Sequence, residues 1–306
     1  MTLEQTYRDS LQHKNSNGDD AGELTNWSGS YRGRWQPNHT DSIGWAFEVF
    51  DRDSQADSFS RGQSYISYEE ERRYFGSLDY KNLGTYGELE LRASVGQSVG
   101  ETNRSHPTVE TTDFLQYQAD AIYHLHTMAE HKLSVGGGIK RDELDVSINS
   151  KKTSRNNMFV VAQDQWQFNK AWNFVAGLRY DHYDDFGNSV NPRLSLAWEE
   201  ENWSARLGYG QGFRAPSLLE QFSSFNRGRF IIQGNTALKA ERSSTWEAML
   251  RRNLGKAYIE LTLHHNDVKD LIDSESTGNN IGAFSVIEYR NIDKARIRGA
   301  ELALEI

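Results

Sequence analysis

The chain has 306 residues, 34 Lys and Arg against 43 Asp and Glu, a net charge of −9 and no cysteine. The acidic balance excludes a dedicated nucleic-acid binder, whose phosphate contacts need clustered Lys and Arg. The missing thiols exclude disulfides, thiolate zinc sites and cysteine catalysis.

No apolar run reaches the length of about 18 residues that a membrane-crossing helix needs. A barrel strand crosses with only about 9–11 residues, every second one apolar, so the mean hydropathy of −0.75 is compatible with a membrane barrel. Eight Trp and fourteen Tyr suit aromatic belts at two membrane surfaces; a large soluble β core is the alternative. Residues 1–8 have neither a basic nor an apolar leader segment, so an exported protein would carry its leader elsewhere.

In chain order, residues of one type recur at every second position. Trp27, Gly29, Tyr31, Gly33 and Trp35 oppose Ser28, Ser30, Arg32, Arg34 and Gln36; Ile43, Trp45, Phe47 and Val49 follow. The same alternation marks 87–95, 117–125, 133–139, 192–198, 203–209, 259–263 and 300–306. It is clearest where Trp172, Phe174, Ala176, Leu178 and Tyr180 oppose Asn173, Gly177, Arg179 and Asp181. A period of two means strands with one oily and one wet face. No stretch sustains a 3.6 period, so few or no helices are expected.

Tight connections are predicted at 37–41, 82–85, 127–131, 168–171, 199–202 and 253–256. Long polar loops are predicted at 9–25, 53–63, 100–112, 141–157, 184–191, 214–240 and 272–284. Short turns alternating with long loops suit an outer-membrane barrel, with turns at the periplasmic end and loops outside. The expected class is all-β: an antiparallel transmembrane β-barrel of about 14 or 15 strands, its polar parity facing the lumen.

Other constellations are better read as structural. His124 and His126 share one strand face with no third ligand nearby. Asp181, His182, Tyr183, Asp184 and Asp185 lack EF-hand spacing and read as a solvated strand end. Gly136, Gly137 and Gly138 form no phosphate loop. No metal site and no catalytic residue is expected.

Two segments carry a family signature. Gly212, Phe213, Arg214, Ala215, Pro216, Ser217 and Leu218 form the first; Gly234, Asn235, Leu238, Lys239, Glu241, Trp246 and Glu247 mark the second. Together they resemble the barrel of TonB-dependent outer-membrane receptors, in which G-[FY]-[RK]-A-P-[ST]-L ends one strand and a loop leads to G-N-P-x-L-K-P-E and S-x-x-[YW]-E. Segments 177–181, 191–195, 266–272 and 289–301 resemble neighbouring strands of that barrel. Thr236 and Ala240 stand where the family usually has proline.

The resemblance implies energised uptake of an iron chelate across the outer membrane, with no covalently bound cofactor and no chemistry on the ligand. Its partners would be outer-membrane lipid, a ferric siderophore, and the TonB energy-coupling complex acting through a plug domain. Residues 1–306 are expected to be barrel alone, incomplete at both ends against about 22 strands for the largest transporters and without the plug. Haem is disfavoured because 217–234 has no histidine; haem or vitamin B12 remain alternative cargoes. A passive porin-like barrel and a soluble β-rich binding or adhesin domain are the readings from other classes.

Basic and aromatic loop residues suit an anionic, aromatic chelate. The candidates are Arg61 and Tyr65, with Tyr68 beside them, and Arg227, Arg229 and Phe230. The motif residues, Arg214 and Pro216 included, are expected to be mainly structural.

Overall fold

The computed structural model describes all residues except 1, 9–12, 15–19, 61–62, 106–107, 127–128, 148–151, 228 and 306. They form a single sheet of seventeen strands, β1 to β17 in chain order. The pairing runs β1–β3–β4 and on through β12 in sequence order, then to β15, β16 and β17, all antiparallel. Between β12 (Trp203–Arg214) and β15 (Glu241–Leu254) lie the helix α1 (Leu218–Phe222) and the short strands β13 (Ser224–Arg227) and β14 (Phe230–Gln233). β13 and β14 pair with each other, and β14 then pairs in parallel with β17 (Phe284–Glu305).

Five of the six predicted short turns stand within a residue or two of where the sequence places them; the sixth, 127–131, falls partly on 127–128, outside the described residues. Gly255 has a φ of +76° in the turn joining β15 to β16 (Ala257–Ile281), a backbone state that costs glycine little. The long connections need correction. β4 (Asp41–Ser60) and β5 (Gln63–Gly84) stay paired up to Ser60 and Gln63. β16 and β17 stay paired up to Ile281 and Phe284, and β6 (Gly87–Ser105) and β7 (Thr108–Leu125) up to Ser105 and Thr108. Segments 53–63, 100–112 and 272–284 are therefore mostly tall hairpins. Outside a bilayer, polar side chains cost a strand nothing while the ladder satisfies every backbone group, so polarity does not mark the end of pairing. The long strands number fourteen among the described residues, as expected, and the sheet reaches seventeen through the small β2 (His13–Lys14), β13 and β14.

Burial is inverted relative to a soluble domain. Leu178, Val190 and Leu207 are about half exposed, whereas Arg155 and Asp181 are almost fully buried. Val135, Ile139, Leu178, Leu194 and Leu261 lie on one face, as the registers from β8 (His131–Val146) to β16 require, and Asp142, Arg155, Asp181 and Asn266 on the other. An exposed apolar face this continuous is what lipid covers.

The predicted aromatic belt is present at the turn end. His131, Trp166, Phe168, Trp172 and Trp198 follow one another at ring-centroid distances of 5.1–6.2 Å. The described apolar core is small and lies on the polar face: Leu144, Val146 and Leu218, flanked by Phe114, Leu219 and Phe222. There the inward parity of β7 and β8 turns apolar because α1 lands on it.

Candidate functional site

The segment between β12 and β15 is a long connection that leaves the ladder and whose course is described almost throughout. Pro216 is fully buried where it starts. Ser217 caps α1: its hydroxyl accepts from the Glu220 backbone N–H at 3.1 Å, and the Glu220 carboxylate accepts from the Ser217 N–H at 2.7 Å. This reciprocal capping box lets so short a helix form. Leu218 drops onto Leu144 and Val146 of β8. β13 then passes beside β6, and β14 pairs with Ser285–Glu288 of β17. The segment is a strap over the inner face, running from β6–β9 to β17.

Polar contacts hold the strap at both ends. On β9 (Thr153–Trp166), the Arg155 guanidinium donates to Asp185 at 2.7 Å, to the Pro216 carbonyl and to the Gln221 side chain. It also lies 5.1 Å from the centre of the Phe186 ring. Phe186, Tyr183 and Phe213 cluster beneath, with Phe213 edge-on to Tyr183 at 5.6 Å; burial pushes the Tyr183 phenol up. At the other end Asn291 of β17 accepts from the Lys239 N–H at 2.9 Å and donates to the carbonyls of Lys239 and Asp270. Asn235 donates to the Tyr289 carbonyl at 3.0 Å. Leu238 is buried between these contacts.

Arg214 joins the two ends of the strap. Its guanidinium donates to Glu241 at 2.7 and 2.9 Å and to Glu220 at 3.0 Å. Glu241 also accepts from the Ile272 N–H at 2.8 Å. The Arg214 guanidinium, with that backbone donor, holds the Glu241 carboxyl below the usual carboxylate range. Gly234 must be glycine: a Cβ there would lie 2.8 Å from the backbone of Gln221 and of Ser223.

Of the motif residues, Arg214, Pro216, Ser217, Leu218, Gly234, Asn235, Leu238, Lys239 and Glu241 meet on the strap and its clasp, whereas Trp246 and Glu247 lie further along β15, Trp246 against the Tyr209 ring. The loop candidates divide. Arg229 and Phe230 are exposed at the β13–β14 turn, and Ser285 donates its N–H to the Arg229 carbonyl at 3.1 Å. Arg227 ends β13 opposite Phe230. These three share one hairpin tip on the strap. Tyr65 pairs with Ser58 high on the β4–β5 hairpin, with Tyr68 three residues below on the same strand. Arg61 lies outside the described residues. No described contact joins the two groups of candidates.

Segment 181–185 is corrected. Asp181 is buried between Arg179, at 2.7 and 2.8 Å, and Asn157, Asp184 accepts from Asn156, and Asp185 holds Arg155. His182, Asp184 and Asp185 are exposed at the strand end as expected, but Asp181 is buried and Asp185 seats the strap through Arg155. His124 bonds the Ser134 hydroxyl at 2.8 Å, and no group of three metal-ligating side chains occurs among the described residues.

Sequence reasoning missed Arg155, Gln221 and Asp185 as a unit. Asn291 stood inside a recognised segment, but without its role. The site contains donors, acceptors and a rigid mount, which suits it to holding and presenting a loop.

Comparison with known proteins follows the same lines. Residues 2–306 match the family model described as TonB dependent receptor-like, beta-barrel. The chain is 32% identical over 197 residues to the iron-regulated outer membrane virulence protein of Vibrio cholerae, covering 58% of this chain and 30% of that protein. Over 117 residues it is 38% identical to hemoglobin and hemoglobin-haptoglobin-binding protein C of Haemophilus influenzae, covering 36% and 11%. The siderophore receptor PirA of Pseudomonas aeruginosa superposes with a TM-score of 0.80 at 18% identity, over 94% of this chain and 54% of that one. The chain therefore spans about half the length of the solved receptors it resembles, and the alignments cover less than a third of the curated relatives.

Proposed function

This chain belongs to the TonB-dependent receptor β-barrel family of the outer membrane, and from that premise we propose that it forms the wall through which a longer receptor takes up a ferric siderophore. Residues 1–306 act as barrel in this reading, the lumen being closed by a plug that an energised TonB partner displaces. The observation that carries it is the strap. A rigid clasp of Arg155, Arg214 and Asn291 fixes a hairpin whose exposed Arg229 and Phe230 combine positive charge with an aromatic face. Anionic catecholate or hydroxamate chelates offer the complementary charge and rings. The wall itself binds and orients; no bond of the cargo is made or broken.

Haem is the second reading. The relatives that bind hemoglobin are 38% identical over 117 residues, so the missing histidine in 217–234 does not separate the two cargoes. The test is uptake of radiolabelled iron by iron-starved cells lacking their own receptors and expressing the complete gene. Uptake from a ferric siderophore, abolished by a proton uncoupler, is expected. Growth on haemin alone would select the second reading, and uptake indifferent to the uncoupler would select a passive pore and overturn both.

A further inference from the structure

The inner face of β12 carries a lane without side chains. Register sets which of its residues point inward. Gly177 of β10 (Trp172–Tyr183), Arg193 of β11 (Gly187–Glu200), Gly210 of β12 and Thr245 of β15 share a rung with the inward Asn266. In steps of two along β12, the inward residues are Arg206, Gly208, Gly210, Gly212 and Arg214. Three glycines stand in a row between two arginines.

Neither packing nor backbone requires glycine at Gly208 and Gly210. A Cβ at Gly210 would meet nothing within 4 Å, and one at Gly208 only Glu247 at 4.0 Å. Neither residue has a positive φ. Glycine weakens a strand interior and marks a place where another molecule comes close. The bare stretch from Gly208 to Gly212 is about 13 Å long, and the strands flanking it, β11 and β15, stand about 10 Å apart.

Two hollows continue the lane toward the turns. One of about 290 Å³ is lined by Arg193, Ser195, Gly208, Gly210, Thr245 and Glu247. The next, about 440 Å³, lies among Ala197, Ser204, Met249 and Arg251. Arg206 borders both. At its other end the lane starts at Arg214, which holds the strap.

The charges along the lane are available. Arg193 and Arg206 are exposed, and neither makes an ion pair or a hydrogen bond among the described residues. Neighbouring inward arginines are committed: Arg179 to Asp181, Arg214 to Glu220 and Glu241, Arg251 to Asn253. Glu247 stands on the rung between those of Arg193 and Arg206, which leaves the pair a small positive excess. A path must attract its cargo without keeping it.

We propose that the inner face of β12 is the lane along which an anionic, aromatic iron cargo passes from the strap to the turn end. Its ring faces lie on bare backbone, and its charge is met first by Arg193 and then by Arg206. The inference rests on the transport reading above and deepens it. It does not depend on which of the two cargoes is carried, since a ferric catecholate and haem both join negative charge to flat rings.

The test is uptake of radiolabelled iron, supplied as ferric enterobactin or as haemin, by cells expressing the complete gene. Surface binding is read in uncoupled cells. G208V/G210V fills the lane with a residue that favours strands. It should keep its surface affinity and lose on the order of tenfold in maximal uptake rate. R193Q/R206Q should lose roughly five- to twentyfold, each exposed ionic contact being worth up to about a factor of five. R193K/R206K should recover most of that loss. S77V/S94V, which add bulk on the inner face of β5 and β6, should transport as the parent does. R193Q/R206Q serves where G208V/G210V fails to insert. Unchanged uptake in either double variant overturns the lane. So does lost uptake accompanied by entry of vancomycin that the parent excludes, which would give the glycines to the seating of the plug instead. A parent that takes up neither probe overturns the transport reading, and the lane with it, whatever the variants do; the two failures are thereby distinguished.

Discussion

Arg155 is almost fully buried, yet every polar contact it makes joins β9 to another part of the chain. Removing the guanidinium leaves the Pro216 carbonyl and the Gln221 side chain without their buried donor, at a cost of about 1–3 kcal/mol, while the partly exposed Asp185 turns to water. R155M should therefore free the strap. Chymotrypsin should cut at Phe225 and Phe230 at least tenfold faster in folded protein, while the barrel keeps its heat-modifiable mobility. G234A should act in the same direction and cost about 1–3 kcal/mol, because the added methyl meets the backbone carbonyls of Gln221 and Ser223.

Acid should act through Glu241. Its carboxyl is held below the usual 4.5 by Arg214 and the Ile272 amide, so the charged pair stabilises the clasp fully above that value and is lost as pH falls through the lowered one. Strap cleavage should thus be flat from neutral pH down to about 4.5 and rise below it. E241Q should raise cleavage at neutral pH and flatten the acid response. Gly234 and Glu241 were legible in the sequence as motif positions. Arg155 was not: its partners Pro216 and Gln221 lie 61 and 66 residues away, and a polar residue in a polar stretch gives no periodic signal of a distant contact.

At the scale of elements, α1 shows how a short segment redirects strand chemistry. Leu144 and Val146 occupy inward positions that elsewhere carry Lys140 and Asp142, and they are apolar because Leu218 covers them. L218A should leave a void there and cost about 2–5 kcal/mol. Hydrogen exchange should show faster exchange at the Gly234 and Asn235 amides, which bond the carbonyls of Ser223 and Glu220. The ladder between β9 and β10 should be unaffected. Alternation marks β10 and β12 because one face meets lipid. It is weak in 53–63 and 272–284, where water meets both faces and pairing alone holds the hairpins.

For the whole molecule, two-sidedness is the property with consequences. Leu178 is half exposed on the face shared with Leu194 and Leu207, whereas Arg193 faces the lumen. L178R should cost about 2–4 kcal/mol if it sits near the bilayer midplane, read as a lower urea midpoint in lipid vesicles. R193K, with its charge kept in water, should leave the midpoint unchanged. Among the described residues β1 pairs only with β3, and β17 beyond Glu288 only with β16. Both edges of the wall therefore offer unpaired backbone, which lipid does not tolerate.

The period-two pattern and the turn residues determined by themselves that this chain is a wall of antiparallel strands with one oily face. Each strand carries that information within about ten residues, and the ordered motif pair added the family. Only the tertiary structure decided that the segment between the motifs is a strap, that Asp185 seats it, and that Arg193, Arg206 and Glu247 border one bare lane on the inner face. Those arrangements join residues dozens of positions apart through strand register, which is not written in the local alternation of side chains.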